Sequence, residues 1–374
     1  MKQIFSGLLL SAMILAFGGC EKEKADLIYD RSYIDEIKQT RKEFSTFLSR
    51  NYIPGGNIAI AKDNKIIYSE GMGFASTELE VQMTRENKLR IGDVSELFTS
   101  IIYLKLVEEG VLEPDSTVQH YLEYYPETNL RLAIKHLPYH TSGIRKEDSE
   151  ENDRGGLNIS IQKGLESFMY DELTSPPGWY EEVSMFNPNL LGAVMEKATN
   201  KKFPQLLKEY LTDTLNLTNT VVDNPSARIK GRSEFYSQNM LGQIVNAPFR
   251  DARYKAPSKG ILSNAEDLVK LGMAVLESNY FSDDFRENIF KPCDLYGNYK
   301  SKMANGWLLT FDKKGREVNA SSGSVTGGGA AILIYPEEKL VLACAINLTL
   351  SNDIPLFEIA DHFLQDPGMD EQEK

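Results

Sequence analysis

Ala330-Ala331-Ile332-Leu333-Ile334-Tyr335-Pro336-Glu337-Glu338-Lys339-Leu340-Val341-Leu342-Ala343-Cys344-Ala345-Ile346-Asn347-Leu348 sets the architecture. It reads as two strands, Ala330–Tyr335 and Leu340–Leu348, around a turn at Pro336-Glu337-Glu338. Upstream, Gly306–Phe311 and Glu317–Ser321 read as strands joined by the turn Asp312-Lys313-Lys314-Gly315. Near the other end, Gly56–Ala61 and Lys65–Ser69 form a predicted hairpin across Lys62-Asp63-Asn64. Between them the pattern is helical: an amphipathic stretch over 33–50, Phe98–Glu109 stopped by Gly110, then Leu190–Thr199 and Ala265–Leu276. Strands at both ends with helices between predict an α/β fold of the α+β kind. An antiparallel sheet is built from both termini, flanked by helices, and carries a helical insertion.

The chain has 374 residues and 41% hydrophobic residues, which excludes disorder, collagen-like repeats and a polytopic membrane protein. With 41 Lys+Arg against 54 Asp+Glu, the net charge of −13 repels a nucleic-acid backbone, so no nucleic-acid partner is expected. Three cysteines without a CxxC or Cys/His spacing indicate neither a disulfide scaffold nor structural zinc; no cofactor or metal is expected. No repeat or Pro/Ser-rich linker divides the chain, which points to one domain over 31–365.

Residues 1–19 read as an export signal: Lys2, then an apolar run from Ile4 to Phe17 too short for a comfortable membrane span. Gly18-Gly19-Cys20 resembles a bacterial lipoprotein signal, with Cys20 lipidated and 20–30 a polar tether; a plain secretory signal with an incidental cysteine is the alternative. Both take the protein out of the cytoplasm. The first places it at the cell envelope, periplasmic or on the outer-membrane surface, touching the membrane through its anchor only. Cys293 and Cys344 then meet an oxidising compartment where they can pair, although Cys344 in an apolar run reads as a small buried hydrophobe. Residues 366–374 read as a frayed acidic tail.

A series of short strings occurs in order: Pro54-Gly55, Gly71-Met72-Gly73-Phe74-Ala75, Arg90-Ile91-Gly92, Leu97-Phe98-Thr99, His140-Thr141-Ser142-Gly143-Ile144, Pro177-Gly178, Leu190-Leu191-Gly192, Gly260-Ile261-Leu262-Ser263 and Asn305-Gly306-Trp307. Together they resemble the serine β-lactamase and penicillin-binding-protein superfamily, in its class C-like esterase branch. The resemblance implies a β-lactamase/transpeptidase-like fold and a serine acylated at the mouth of a central helix.

The residues that would do that chemistry are replaced. Where the family has Ser-x-x-Lys, this chain has Asp93-Val94-Ser95-Glu96, so Asp93 stands for the nucleophile and Glu96 for the lysine that activates it. Five residues on from Gly178, Val183-Ser184-Met185 takes the place of Tyr-x-Asn, leaving neither phenol nor amide. The third motif, Lys or His followed by Thr/Ser-Gly, reads Ser321-Ser322-Gly323-Ser324, and nothing from Glu317 to Glu338 is Lys or His before the turn. The spacing of Asp93 and Glu96 is that of a capping box at a helix mouth. The other readings are an acidic site for an amine or a metal ion, joined by Glu181 or Glu182, and a new acid/base pair.

Other matches are weaker. Ser160-Ile161-Gln162-Lys163 fits Ser-x-x-Lys by chance frequency, Lys313-Lys314-Gly315 reads as a turn, and the acidic run 147–153 reads as a solvated loop. His140 reads as structural. By resemblance, the acyl oxygen would rest on the backbone N–H groups of Asp93 and Ser324. The expected cleft comprises Asp93, Glu96, Trp179, Tyr180, Val183, Met185, Ser322, Gly323 and Ser324, with the aromatic pair as a stacking surface. Two acids with no cation at the former motif positions favour a neutral or cationic small molecule, peptide or cell-wall fragment. The expected function is a lipid-anchored pseudoenzyme that binds; the competing one is a divergent serine hydrolase, an esterase, peptidase or β-lactamase, using displaced residues.

Overall fold

The computed structural model describes residues 26–127, 130–152, 160–349 and 354–364. The expected signal 1–19, Cys20 and the tail 366–374 lie outside them. The strands of the main sheet are β1 (Leu27–Tyr29), β2 (Gly55–Lys62), β3 (Lys65–Ser76), β4 (Met303–Ala304), β5 (Trp307–Phe311), β6 (Glu317–Val325), β7 (Gly328–Tyr335) and β8 (Leu340–Ile346). They lie in the order β1-β3-β2-β8-β7-β6-β5-β4, and Val81–Gln82 pairs with β3 off this path. The two ends of the chain meet at β2 and β8, antiparallel, with Ile58 opposite Cys344 and Ile60 opposite Leu342.

The longer helices are α1 (Ile34–Arg50), α2 (Ser95–Glu108), α3 (Phe186–Thr199) and α4 (Ala265–Glu277), and the short α5 (Leu356–Ala360) closes the described chain. The period of two sorts the central strands between two cores. Ala59, Ala61, Ile332, Ile334, Val341 and Ala343 pack in one cluster with α2, α3 and α4. Ile58, Ile60, Leu333, Leu340, Leu342 and Cys344 pack in the other with Phe44 and Phe47 of α1 and Leu356 and Ile359 of α5. Both faces of β7 and β8 are therefore covered, which is why these strands carry no polar face. Helix α2 runs inside the first core, buried on every side from Ser95 to Tyr103, and its mouth opens at the edge of β6.

Two expectations change, and the reading of Cys344 as a small buried hydrophobe holds. Leu27–Tyr29, inside the expected tether, is an edge strand paired with Tyr68–Glu70 of β3. The run beginning at Glu147 is solvated only in part: Asp148, Ser149 and Glu150 are exposed, but the Glu147 side chain is tucked away from water and Ser149–Asn152 make a helical turn. Cys293 and Cys344 are both free; Cys344 is wholly buried in the second core, and burial pushes its thiol up to about 12. Among the described residues, no helix is long and apolar enough to cross a membrane.

Candidate functional site

The helix mouth begins with Gly92–Val94, a single 3-10 turn that runs directly into α2. Gly92 has φ +56°, and a Cβ there would lie 2.8 Å from the Ser324 nitrogen; a Cβ on Gly323 would lie 2.1 Å from the Asp93 nitrogen. These two glycines let the turn press against β6 with no side-chain layer between them. Asp93 Oδ2 accepts the Ser324 N–H at 3.3 Å. That N–H is one of the two donors the resemblance assigns to an acyl oxygen, and the chain's own carboxylate takes it.

The other oxygen of Asp93, Oδ1, lies 3.0 Å from Lys259 Nζ, which is also 3.3 Å from Glu147 Oε1. Lys259 ends the helical turn Ala256–Lys259 and reaches the site from behind α2. The Lys259 and Glu147 side chains are each 8% exposed, against 31% for Asp93. Burial alone would pull the Lys259 ammonium down, but the charges of Asp93 and Glu147 outweigh it and raise its pKa above the ordinary lysine value. Burial would likewise raise Glu147, but Lys259 and the Met185 N–H, 3.0 Å from Oε2, hold it below its ordinary 4.5.

Deeper in, Glu96 Oε2 lies 3.0 Å from His140 Nε2, both side chains buried. His140 Nδ1 accepts the Ser184 N–H at 3.4 Å and faces the Asn187 amide nitrogen at 3.2 Å. The Asn187 amide oxygen accepts the Ser142 hydroxyl, which leaves its NH₂ for His140. Nδ1 is thus an acceptor, and Nε2 carries the proton toward Glu96. Burial raises the Glu96 pKa against the opposing pull of His140.

Asp93 and Glu96 form no capping box. Val94 is the N-cap of α2 without a side-chain cap bond, because the preceding 3-10 turn already continues the helix and sends Asp93 toward β6. Nor are the two acids uncompensated, since Lys259 pairs with Asp93 and the imidazole N–H with Glu96. A cavity of about 600 Å³ has Asp93 and Ser321–Ser324 at one end, but the rest of its wall includes Ala320, Ala331, Leu333, Leu356 and Phe357, on the second core's side of the sheet. Glu96 is buried and does not line it, and Met185, only 2% exposed, belongs to the core. Val183 is 48% exposed, and neither it nor Trp179 or Tyr180 lines this cavity. Trp179 instead stacks on Tyr296, centroids 4.4 Å apart at 15°, with Tyr180 exposed at its edge.

Four serine hydroxyls near the site are engaged with other groups. Ser142 donates to Asn187, Ser184 to the Arg145 carbonyl and Ser258 to the Lys255 carbonyl, while Ser95 accepts the Ile261 N–H. Ser160 caps the helix Ile161–Leu165, and its neighbour Lys163 pairs with Glu166. Glu181 accepts the N–H groups of Lys302 and Met303, and Glu182 the Thr174 hydroxyl, so neither joins Asp93 and Glu96. Among the described residues no group of three or more His, Cys, Asp or Glu is placed to hold a metal ion. Lys259 and Glu147 were missed from sequence. The signal for Lys259 was a single charge inside the small and apolar run Ala256-Pro257-Ser258-Lys259-Gly260-Ile261-Leu262.

A pH dependence follows. The folded state holds Glu147 below 4.5, so its contribution to stability is complete above that value and is lost as pH falls through the lowered one. In thermal melts from about pH 6 to about pH 3, Glu147→Gln is expected to lose less stability on acidification than the native protein. Equal losses would show that Glu147 is not held ionised by Lys259.

A family model described as Beta-lactamase matches residues 39–360. The chain is similar to the human "Serine beta-lactamase-like protein LACTB, mitochondrial" (Homo sapiens), 26% identical over 383 residues that cover 76% of this chain and 69% of the relative. It is 26% identical over 307 residues to "Protein flp" of Staphylococcus aureus (strain MW2), covering 80% of this chain and 61% of that protein. Among solved structures, FmtA from Staphylococcus aureus superposes with a TM-score of 0.76 at 18% identity, covering 91% of each chain. The octameric penicillin-binding protein homologue from Pyrococcus abyssi gives 0.75 at 20% identity, covering 87% of this chain and 76% of that one. At these identities the superpositions speak for the fold.

Proposed function

Because the chain belongs to the beta-lactamase family, we propose that it is a member without acyl-serine chemistry, serving as a binding module at the bacterial cell envelope and anchored there through a lipid on Cys20. One observation carries this reading: the carboxylate at the nucleophile position is tied at one oxygen to Lys259 and at the other to the Ser324 N–H. Asp93 is a poor substitute for serine. Acyl transfer to it would give a labile anhydride, and the ion pair with Lys259 withdraws the electron density an attack requires. Lys259 is shared between Asp93 and Glu147, so carboxylates outnumber the cation at the site, which favours a neutral or cationic peptide or cell-wall fragment over an anion. A fluorescent penicillin and a fluorophosphonate probe test the reading. Neither is expected to leave a label that survives denaturation; a stable label on a serine would establish the displaced-residue hydrolase instead.

A further inference from the structure

A second pocket, of about 800 Å³, opens between the segments 225–235 and 246–250. On a chain of net charge −13, its lining holds Arg90, Arg228, Lys230, Arg232 and Arg250 against the single acid Glu234. Arg90 and Arg232 share Asp223, at 2.8 and 3.6 Å, and Arg90 lies over the Phe235 ring at 4.2 Å. Arg228 and Lys230 are exposed and have no ion pair among the described residues. Lys88, next to this loop, gives its ammonium to the neutral Asn219 Oδ1 at 2.8 Å. Burial lowers its pKa, with Lys230 adding a little and the charges of Asp267 and Glu86 opposing.

Cations crowded around a concave surface with too few counter-charges repel one another, and an anion that enters relieves the repulsion. We propose that this pocket is a binding site for a phosphate-bearing anion. Two uncompensated cations match a doubly charged phosphate better than a singly charged carboxylate, and the guanidinium of Arg228 offers the forked donors phosphate oxygens accept. Phe235 and Phe249 line the same pocket and give an apolar wall to the rest of an organic ligand. The volume falls within the roughly 300–1,000 Å³ usual for small-molecule sites. Arg90 also donates to the Thr326 carbonyl at 2.8 Å, two residues beyond Ser324, so the pocket lies close to the Asp93 cleft but is built from its own residues.

Titration calorimetry of the purified protein at low salt tests this with two probes. Inorganic pyrophosphate represents free phosphates, and glycerol 3-phosphate, a monoester that carries up to two charges, represents a lipid headgroup. Saturable binding of at least one is expected, weakened at least tenfold in the double variant Arg228→Gln/Lys230→Gln, whose melting temperature should not change because both side chains are exposed. The tighter probe identifies the source. No heat with either probe, equal affinity in the variant, or equally tight binding of acetate would overturn the proposal.

Discussion

Lys259→Met is expected to lower the free energy of unfolding by roughly 3–5 kcal/mol, the range seen when one partner of a buried ion pair is removed. Methionine fills nearly the same volume, so little of the loss comes from a cavity. The cost comes from two carboxylates, Asp93 and Glu147, left facing each other's charge with Glu147 almost sealed from water. Urea unfolding followed by circular dichroism measures it. The triple variant Lys259→Met/Asp93→Asn/Glu147→Gln removes the stranded charges together with the cation and is expected to recover most of the loss. A single-variant loss below about 1 kcal/mol would mean that Lys259 is paired weakly and that the site is as acidic as its sequence suggested.

Gly323→Ala should also destabilise strongly, by about 3 kcal/mol or more. The new methyl would sit 2.1 Å from the Asp93 nitrogen and 2.8 Å from its Cα, atoms of a backbone turn that cannot rotate aside as a side chain would. The neighbouring Ser322→Ala, on an exposed position, should change stability by no more than about 0.5 kcal/mol. If the two variants unfold alike in urea, the close contact between β6 and the helix mouth is absent, and with it the geometry that places Asp93 on the Ser324 N–H.

The sheet was readable from sequence because its strands are local: apolar runs of limited length, separated by turns rich in Asp, Asn, Gly and Pro, with helical spacing between the two sets. The join of β2 to β8 followed from the position of those runs at the two ends. The position of Asp93 was also readable, from the strings on either side of it. Its partners were not. Lys259 and His140 reach Asp93 and Glu96 only after distant segments pack around α2, and no spacing rule connects them. Asp93-x-x-Glu96 looked like a cap because the spacing is right, but the helical turn starts one residue earlier, at Gly92. Glu96 was expected in the cleft because it stands at the motif's lysine position, and a helix buried on every side has no hydrophobic period to show otherwise.

The most direct test of an inert acyl-transfer site is the intact mass of the purified protein after incubation with benzylpenicillin. An unchanged mass is predicted, because the nucleophile position holds Asp93 and the nearby Ser95 hydroxyl is buried and accepts the Ile261 N–H. An adduct of the penicilloyl mass, mapped by peptide sequencing to a serine lining the Asp93 cavity, would contradict the account.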